Sequence, residues 1–388
     1  MKKVLFICLH NPFKTDSGAQ QRTNLLFYAL MEIGHVDVVC FSDDQAPSNF
    51  TADNFTIQYY GKQEVKSKSR IKIWVHLLNI FNPYLVFRKN LLFESVIKKL
   101  IEQNNYQYIV SRYVESVFKA GLFHRNDIIV DVDDLPEQYF LSFYRDENLP
   151  VRKRIKNLYF AIHSRYFVNS FLQRTKHAFF PNKTQVKYPH SSFLPNIPYP
   201  RILSSDTKAA DQPQQSVLFV GVLDYPPNQN GIDHFLTHIW SNVIREIPDA
   251  SLTIVGRLKS NVFKTKWERI KGVVIKGFVD DIEKEYQNCN VVVVPIYHGA
   301  GSNIKVLEAM YMKKSSVISR FATRGFDEIL TNEKNTMIAD NDQEFANAII
   351  RLLKDDELNE TIRNNAFQTM KNYFSKEVFF KKVHDVIK

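Results

Sequence analysis

Val291-Val-Val-Val-Pro295, running on into Tyr297-His-Gly-Ala-Gly-Ser-Asn-Ile-Lys-Val-Leu-Glu-Ala-Met310, is the stretch that decides the fold. A short β-branched run that ends in a glycine-bearing loop and then takes up helical periodicity reads as strand, loop, helix, with the strand buried in a parallel sheet. In open α/β sheets ligands sit at the carboxyl ends of such strands. Gly299 and Gly301 let the backbone approach a bound group, Ser302 is placed to cap the helix, and the N–H groups of the first turn attract an anion, with phosphate the obvious candidate. At about 100° per residue, Ile304, Leu307 and Tyr311 fall on one apolar stripe, with Glu308 at its edge and Lys305 about 60° further round. Glu308 is therefore expected to be partly buried and to need a donor, either Lys305 or a ligand hydroxyl. The same residues also suit a surface ion pair beside an ordinary βα turn.

Outward from this motif the alternation continues. Residues 217–221, 251–256, 273–277 and 315–319 read as strands, 223–231 as a loop, and 232–247 as a helix, while Phe278-Val-Asp-Asp281 caps a short helix. Residues 344–388 read as two or three helices with Tyr373, Phe374, Phe379 and Phe380 late in the chain. Upstream, residues 204–216 are polar with almost no large apolar side chain, which is linker composition.

The first half begins with a βαβ pattern: an apolar run at 4–9, a polar loop, helical spacing over 24–33 ended by Gly34, and a second strand at 36–41. It lacks Gly-x-Gly-x-x-Gly, which argues against a nicotinamide-dinucleotide site. Further strands at 108–111 and 128–132 are followed by Arg112-Tyr113 and Asp133-Asp134. Asp131-Val-Asp133 has the spacing of a metal-binding carboxylate pair, but at a strand end it reads better as a helix cap. Residues 152–175 form a basic helical stretch. Lys62, Lys66, Lys68, Arg70 and Lys72 precede Trp74, Leu77, Leu78, Ile80 and Phe81, a pattern suited to an anionic membrane surface or to a solvated loop before a core helix.

The chain of 388 residues is long enough for two domains, and its 44% hydrophobic and 24% charged residues exclude fibrous and broadly disordered classes. Cys8, Cys40 and Cys289 lie in or beside apolar runs with no Cys-x-x-Cys pair, which points to buried thiols in a reducing compartment. No run reaches the roughly 18 apolar residues of a membrane span. The net charge of +10 suits an anionic partner: nucleic acid, a membrane face or a diphosphate substrate.

Gly-x-x-x-Lys-x-x-Glu-Ala-Met, from Gly301 to Met310, resembles the donor-site motif of retaining GT-B glycosyltransferases of glycosyltransferase family 4. The fuller family motif is Glu-x7-Glu, whose first position is Ala300 here, so the likeness is to the branch with a Gly-rich loop and Lys-x-x-Glu. The resemblance implies an α/β fold of two Rossmann-like domains with parallel sheets facing a central cleft. It divides the chain into an acceptor domain at 1–200, a linker at 201–215, a nucleotide-sugar domain at 216–370, and a terminal helix at 371–388 that crosses back to the first domain. It implies a donor site of Gly18, Gly221, Arg257, Phe278, Val279, Gly301, Ser302, Asn303, Lys305 and Glu308. Lys305, Glu308 and Arg257 take the catalytic roles, and Arg112, Tyr113 and Asp133 lie on the acceptor side. The family's usual Arg and Lys after Gly221 are replaced by Val222-Leu-Asp-Tyr-Pro-Pro-Asn228, and Arg257 is the candidate replacement.

The expected reaction moves a sugar, from UDP before GDP, to a surface-polysaccharide or lipid-linked acceptor with retention of configuration. No metal or other cofactor is expected. The expected location is the cytoplasm, with peripheral contact to the inner, anionic face of the membrane. Two other readings stay open: an epimerase or inverting transferase on the same scaffold, and a basic nucleic-acid binder, for which the chain carries no motif.

Overall fold

The computed structural model describes residues 2–15, 17–42, 53–61, 80–133, 135–145, 149–198, 215–259, 261–299 and 303–387. The chain forms two compact units: Met1–Pro195 together with Phe379–Lys388, and Asn196–Val378. The expected linker lies almost entirely outside the described residues, as do Lys62, Lys66, Lys68, Arg70, Lys72 and Trp74. The return to the first unit comes later than residue 371. The helix Asp356–Phe374 buries Ile362, Ala366, Met370 and Phe374, which keeps it with the second unit.

The first unit holds a parallel sheet ordered β3-β2-β1-β4-β5-β6-β7. Its strands are β1 Lys2–Cys8, β2 Gly34–Cys40, β3 Phe55–Tyr60, β4 Tyr108–Arg112, β5 Ile128–Asp131, β6 His177–Phe180 and β7 Ser191–Phe193. β1 pairs with β2 on one side and β4 on the other, so the strand order reverses there. The apolar runs read from sequence are the buried central strands: Val4 to Cys8 and Ile128 to Val130 are fully buried. Gly34 does not end the first helix. That helix runs Gly18–Met31, Glu32 caps it, and Gly34 opens β2 opposite Lys2.

The second unit holds a parallel sheet ordered β10-β9-β8-β11-β12-β13. These strands are β8 Ser216–Val220, β9 Ser251–Val255, β10 Val273–Gly277, β11 Val291–Val294, β12 Ser315–Ser319 and β13 Met337–Ala339. β11 lies between β8 and β12, with Val291 level with Val217 and with Ser315, so β8 and β11 flank the reversal point of this sheet. The stretch expected as a loop at 223–231 is partly helical. Pro226 begins the helix Pro226–His234, where a proline's fixed φ fits and its missing N–H costs nothing. A π turn over Phe235–Ile239 then separates it from the helix Trp240–Glu246. Asp281 caps Ile282–Gln287 through Lys284 N–H at 3.1 Å, as its position suggested.

The motif helix Ile304–Tyr311 buries Val306, Leu307, Ala309 and Met310, not the stripe through Ile304 and Tyr311. It packs against both its strand neighbours and the helix Asp356–Phe374, so a single-faced wheel misplaces its contacts. Cys8, Cys40 and Cys289 are buried free thiols. Among the described residues no helix is long and apolar enough to cross a membrane.

Gly277 ends β10 at φ +67, and a Cβ there would meet nothing within 4 Å. Gly277→Ala is expected to cost about 1 kcal/mol, the left-handed penalty alone, and to lower the melting temperature by roughly 2–4 °C in a thermal scan. A fall of much more than that would mean a contact absent from this turn.

Candidate active site

Both reversal points gather polar side chains. In the second unit, a pocket of about 100 Å³ lies where β8 and β11 end, lined by Tyr225, Pro227, Asn228, His298, Gly299, Asn303, Ile304 and Lys305 among others. Lys305 is the principal charge in its wall. Its Nζ donates to Asn228 Oδ1 at 2.6 Å and lies 5.8 Å from the centroid of the Phe219 ring. Burial lowers its pKa to about 8, and the nearby Glu308 carboxylate acts against that shift. A lysine so desolvated is stabilised in its charged form by an incoming anion.

The helix cap falls on Asn303, one position after Ser302; Gly301 and Ser302 lie outside the described residues. Asn303 makes no side-chain cap bond, and its amide reaches toward Ala322 O at 3.4 Å instead. Val306 N–H donates to Asn303 O at 3.0 Å, and no side chain caps this end of the helix, where the dipole favours negative charge. Gly221 sits directly after β8, and a Cβ there would come within 3.0 Å of the Asn228 side-chain amide. Its bareness lets Asn228 reach Lys305. Glu308 is half-buried, as its edge position suggested, but it is one turn along from the pocket and does not line it.

Arg257 is exposed, with Nε 3.2 Å from Asp224 Oδ2, and does not line the pocket. Arg324 comes to the motif loop instead, its Nη2 donating to Gly299 O at 2.9 Å and its guanidinium 4.8 Å from the centroid of Phe321. Phe278 is exposed just past the Gly277 turn, and Val279 is half-buried beside it. Asn228 and Arg324 escaped the sequence reading. Asn228 lies in a stretch whose composition reads as a loop, and Arg324 follows β12 with no motif around it.

In the first unit, Gly18 is the exposed first residue of its helix, whose Ser17 cap accepts from Gln20 N–H at 3.4 Å. Arg112, Tyr113 and Asp133 do come together. Arg112 is fully buried, so it cannot itself meet a substrate, contrary to its expected place on the acceptor side. Its Nη2 donates to Asp133 Oδ2 at 3.0 Å, and its guanidinium lies 3.9 Å from the Tyr113 ring centroid. It therefore positions the two groups that can. Burial pushes against ionisation of Asp133, but the Arg112 and Arg22 charges win and hold the carboxyl below its usual range. Burial pushes the Tyr113 hydroxyl up to about 12.

Tyr113 adopts φ 74, a strained value for a tyrosine, held by its N–H donating to Asp131 O at 2.9 Å and by Ser116 Oγ donating to its carbonyl at 3.0 Å. The His10 ring packs edge-on against it at 5.2 Å. Asp131 ends β5, as its position suggested, while Asp134, next to the expected helix start, lies outside the described residues. Asp131 is clamped by Arg22, with Nε to Oδ2 at 2.9 Å and Nη2 to Oδ1 at 2.6 Å, and by Arg112 Nε at 3.3 Å. Both carboxylates of the Asp-x-Asp spacing are thus spent on arginines, and among the described residues no group of three metal-ligating side chains forms.

Residues 214–355, most of the second unit, match the family described as Glycosyl transferases group 1. The chain is 26% identical to an uncharacterized 44.6 kDa protein in the cps region of Klebsiella pneumoniae, over 98% of each. It is similar to the solved sucrose-phosphate synthase of Thermosynechococcus elongatus, with TM-score 0.68, 16% identity, and 100% of this chain and 98% of that one covered. It is also similar to Anabaena Alr3699/HepE in complex with UDP, with TM-score 0.64, 14% identity, and 100% and 99% covered. The fold is that of GT-B glycosyltransferases, two Rossmann-like domains built on parallel sheets.

Proposed function

We propose that this chain, a glycosyltransferase with a group 1 domain at 214–355, transfers a sugar from a nucleotide-sugar, UDP before GDP, to a growing surface polysaccharide or its lipid-linked precursor, with retention at the anomeric carbon. The observation that carries the donor half is the desolvated Lys305 at the amino end of a helix with no side-chain cap bond, at the reversal point of a parallel sheet. Support for the nucleotide comes from the similar HepE structure, which is in complex with UDP. Support for the acceptor comes from the relative's place in a cps region.

Cleaving a sugar-to-diphosphate bond places negative charge on the leaving phosphate, and a fixed cation in a partly desolvated wall stabilises that charge with no reorganisation. Lys305 and the first-turn amides supply it, with Arg324 at the same loop. Protein cations then neutralise the diphosphate, and the proposal requires no metal. Glu308, one turn on, takes the ribose hydroxyls, and the exposed Phe278 offers a face to the base. Retention follows if the acceptor hydroxyl attacks from the side the diphosphate leaves, with that phosphate taking its proton. No covalent protein nucleophile is assigned. Asp133 and Tyr113, held by Arg112, are the acceptor-side groups. The reaction belongs to the cytoplasmic side of the membrane, where buried thiols stay reduced.

The direct test is a thermal-shift comparison of UDP, GDP and ADP. A ligand binding only the folded state at 100 times its Kd adds roughly 2.7 kcal/mol. UDP is expected to raise the melting temperature most. If no nucleotide raises it, or if Lys305→Ala responds to UDP as the parent does, the donor assignment fails.

A further inference from the structure

The helix Val151–Leu172 of the first unit is apolar on two opposite faces. One is spent on packing: Phe167, Val168, Phe171 and Leu172 join the core of the first sheet. The other points outward. Val151, Ile155, Ile162 and Tyr166 are 65%, 60%, 63% and 69% exposed. At about 100° per residue these four lie within about 60° of one another, roughly opposite the buried face. Single exposed apolar residues are ordinary, but an aligned row along one helix is not.

The neighbouring helix Pro136–Arg145 does not cover this row. It packs on another side, with Phe140 and Phe160 rings 5.6 Å apart and Arg154 Nε donating to Tyr144 O at 2.9 Å. A ring nitrogen of His163 bonds Asn82 O at 3.0 Å, which brings Ile80 and Phe81, 48% and 88% exposed, alongside the same helix.

The charge on this helix has one sign, although Glu137 of the neighbouring helix lies near Tyr188, as does Arg165. Between Glu147 and Asp206 the chain contains no aspartate or glutamate. Within the helix, Arg152 and Lys156 flank the row on one side and Arg154 and Arg165 on the other. Such side chains lay their stems along apolar surface while their charged heads reach outward. A ridge of isoleucine, valine and tyrosine between two rows of cations, with no acid on the same helix, is complementary to an anionic lipid surface. No described helix can cross a bilayer, so the contact is in-plane.

We infer that the outward face of Val151–Leu172 docks this protein on an anionic phospholipid bilayer, with Ile155, Ile162 and Tyr166 set among the headgroups and Arg152, Arg154, Lys156 and Arg165 on lipid phosphates. The docking face is independent of the donor pocket in the other unit.

The test is co-sedimentation of the full chain with vesicles of phosphatidylcholine alone and of phosphatidylcholine mixed with phosphatidylglycerol. Binding is expected only to the mixed vesicles, falling as salt rises. Ile155→Glu with Ile162→Glu should weaken it about tenfold or more, and Arg152→Glu with Arg165→Glu by a similar factor. All four side chains are exposed or flank the exposed row, so both variants are expected to keep the parent circular dichroism and the UDP-induced rise in melting temperature. That nucleotide readout separates failure here from failure of the donor assignment. Equal vesicle binding by parent and variants, or no parental binding to mixed vesicles, overturns the inference. So does loss of a parental dimer in the isoleucine variant by sedimentation velocity, which would make a second copy the occupant.

Discussion

Replacing Lys305 with alanine is expected to lower kcat/KM for the nucleotide-sugar by a factor of about 10² to 10³, the usual cost of removing one fixed charge from a site where transition-state charge develops. The cause is local. The ammonium is held by Asn228 Oδ1 at 2.6 Å, at the amino end of the helix Ile304–Tyr311, so its position is set before any ligand arrives. The variant should also lose its response to UDP in a thermal scan.

The pH dependence gives a second signature. The folded-state pKa of about 8 lies below the ordinary lysine value of 10.5. Between these values the unfolded chain holds a proton that the folded chain has released, so the ligand-free protein gains stability as pH rises through this window. Donor affinity moves the other way, because only the ammonium attracts the diphosphate. The donor KM should therefore climb above about pH 8 in the parent, and this climb should be absent in Lys305→Ala. Near-parental turnover in that variant, with the same pH profile, would remove Lys305 from the mechanism.

Asp131→Ala is expected to destabilise the first unit by about 3–5 kcal/mol, because it leaves two buried guanidiniums without the carboxylate they share. Arg22 keeps its bonds to Leu194 O and Pro195 O, both at 2.9 Å, and Arg112 keeps Asp133, but neither carbonyls nor a half-exposed acid restore the lost charge. Tyr113 is at stake as well, since its strained backbone is tied to the Asp131 carbonyl and its ring to Arg112. Hydrogen exchange is the suitable measurement in a chain of two units, where a single unfolding free energy is poorly defined. Peptides from β1, β4 and β5 should lose protection while those from β8 and β11 keep it. Uniform loss across both units, or none, would contradict the assigned role.

What could be read from the residues followed from burial and period. The valine run at 291–294 has no polar position because both faces of its strand are covered, and its glycine-bearing exit announced the site before any contact was known. The short strands Phe55–Tyr60, Ser191–Phe193 and Met337–Ala339 carry no such pattern; they lie at or next to sheet edges, where pairing and not composition makes the strand. The helix Pro226–His234 was obscured by Pro-Pro-Asn, which reads as a turn until its first residue is seen at a helix start. Asn228, Arg22 and Arg324 were illegible for one reason. Each acts through a partner far away in the chain: Lys305, Asp131 and Gly299 respectively. Lys305 and Glu308 could be singled out because their significance lies in a spacing of three along one helix.

The last ten residues belong to the unit that the first residues begin. His384 bonds Ala29 O at 2.9 Å, Lys382 Nζ reaches Phe193 O at 3.3 Å, and the Arg22 guanidinium lies 5.6 Å from the Phe379 ring centroid. During synthesis the amino-terminal half therefore emerges from the ribosome long before its closing piece exists, while the segment in between has all of its own parts first. Domains generally fold as units in the order they are made. Here that order should invert: residues 196–378 can finish while the earlier half waits for residues 379–388, which makes that segment a poor place for a truncation.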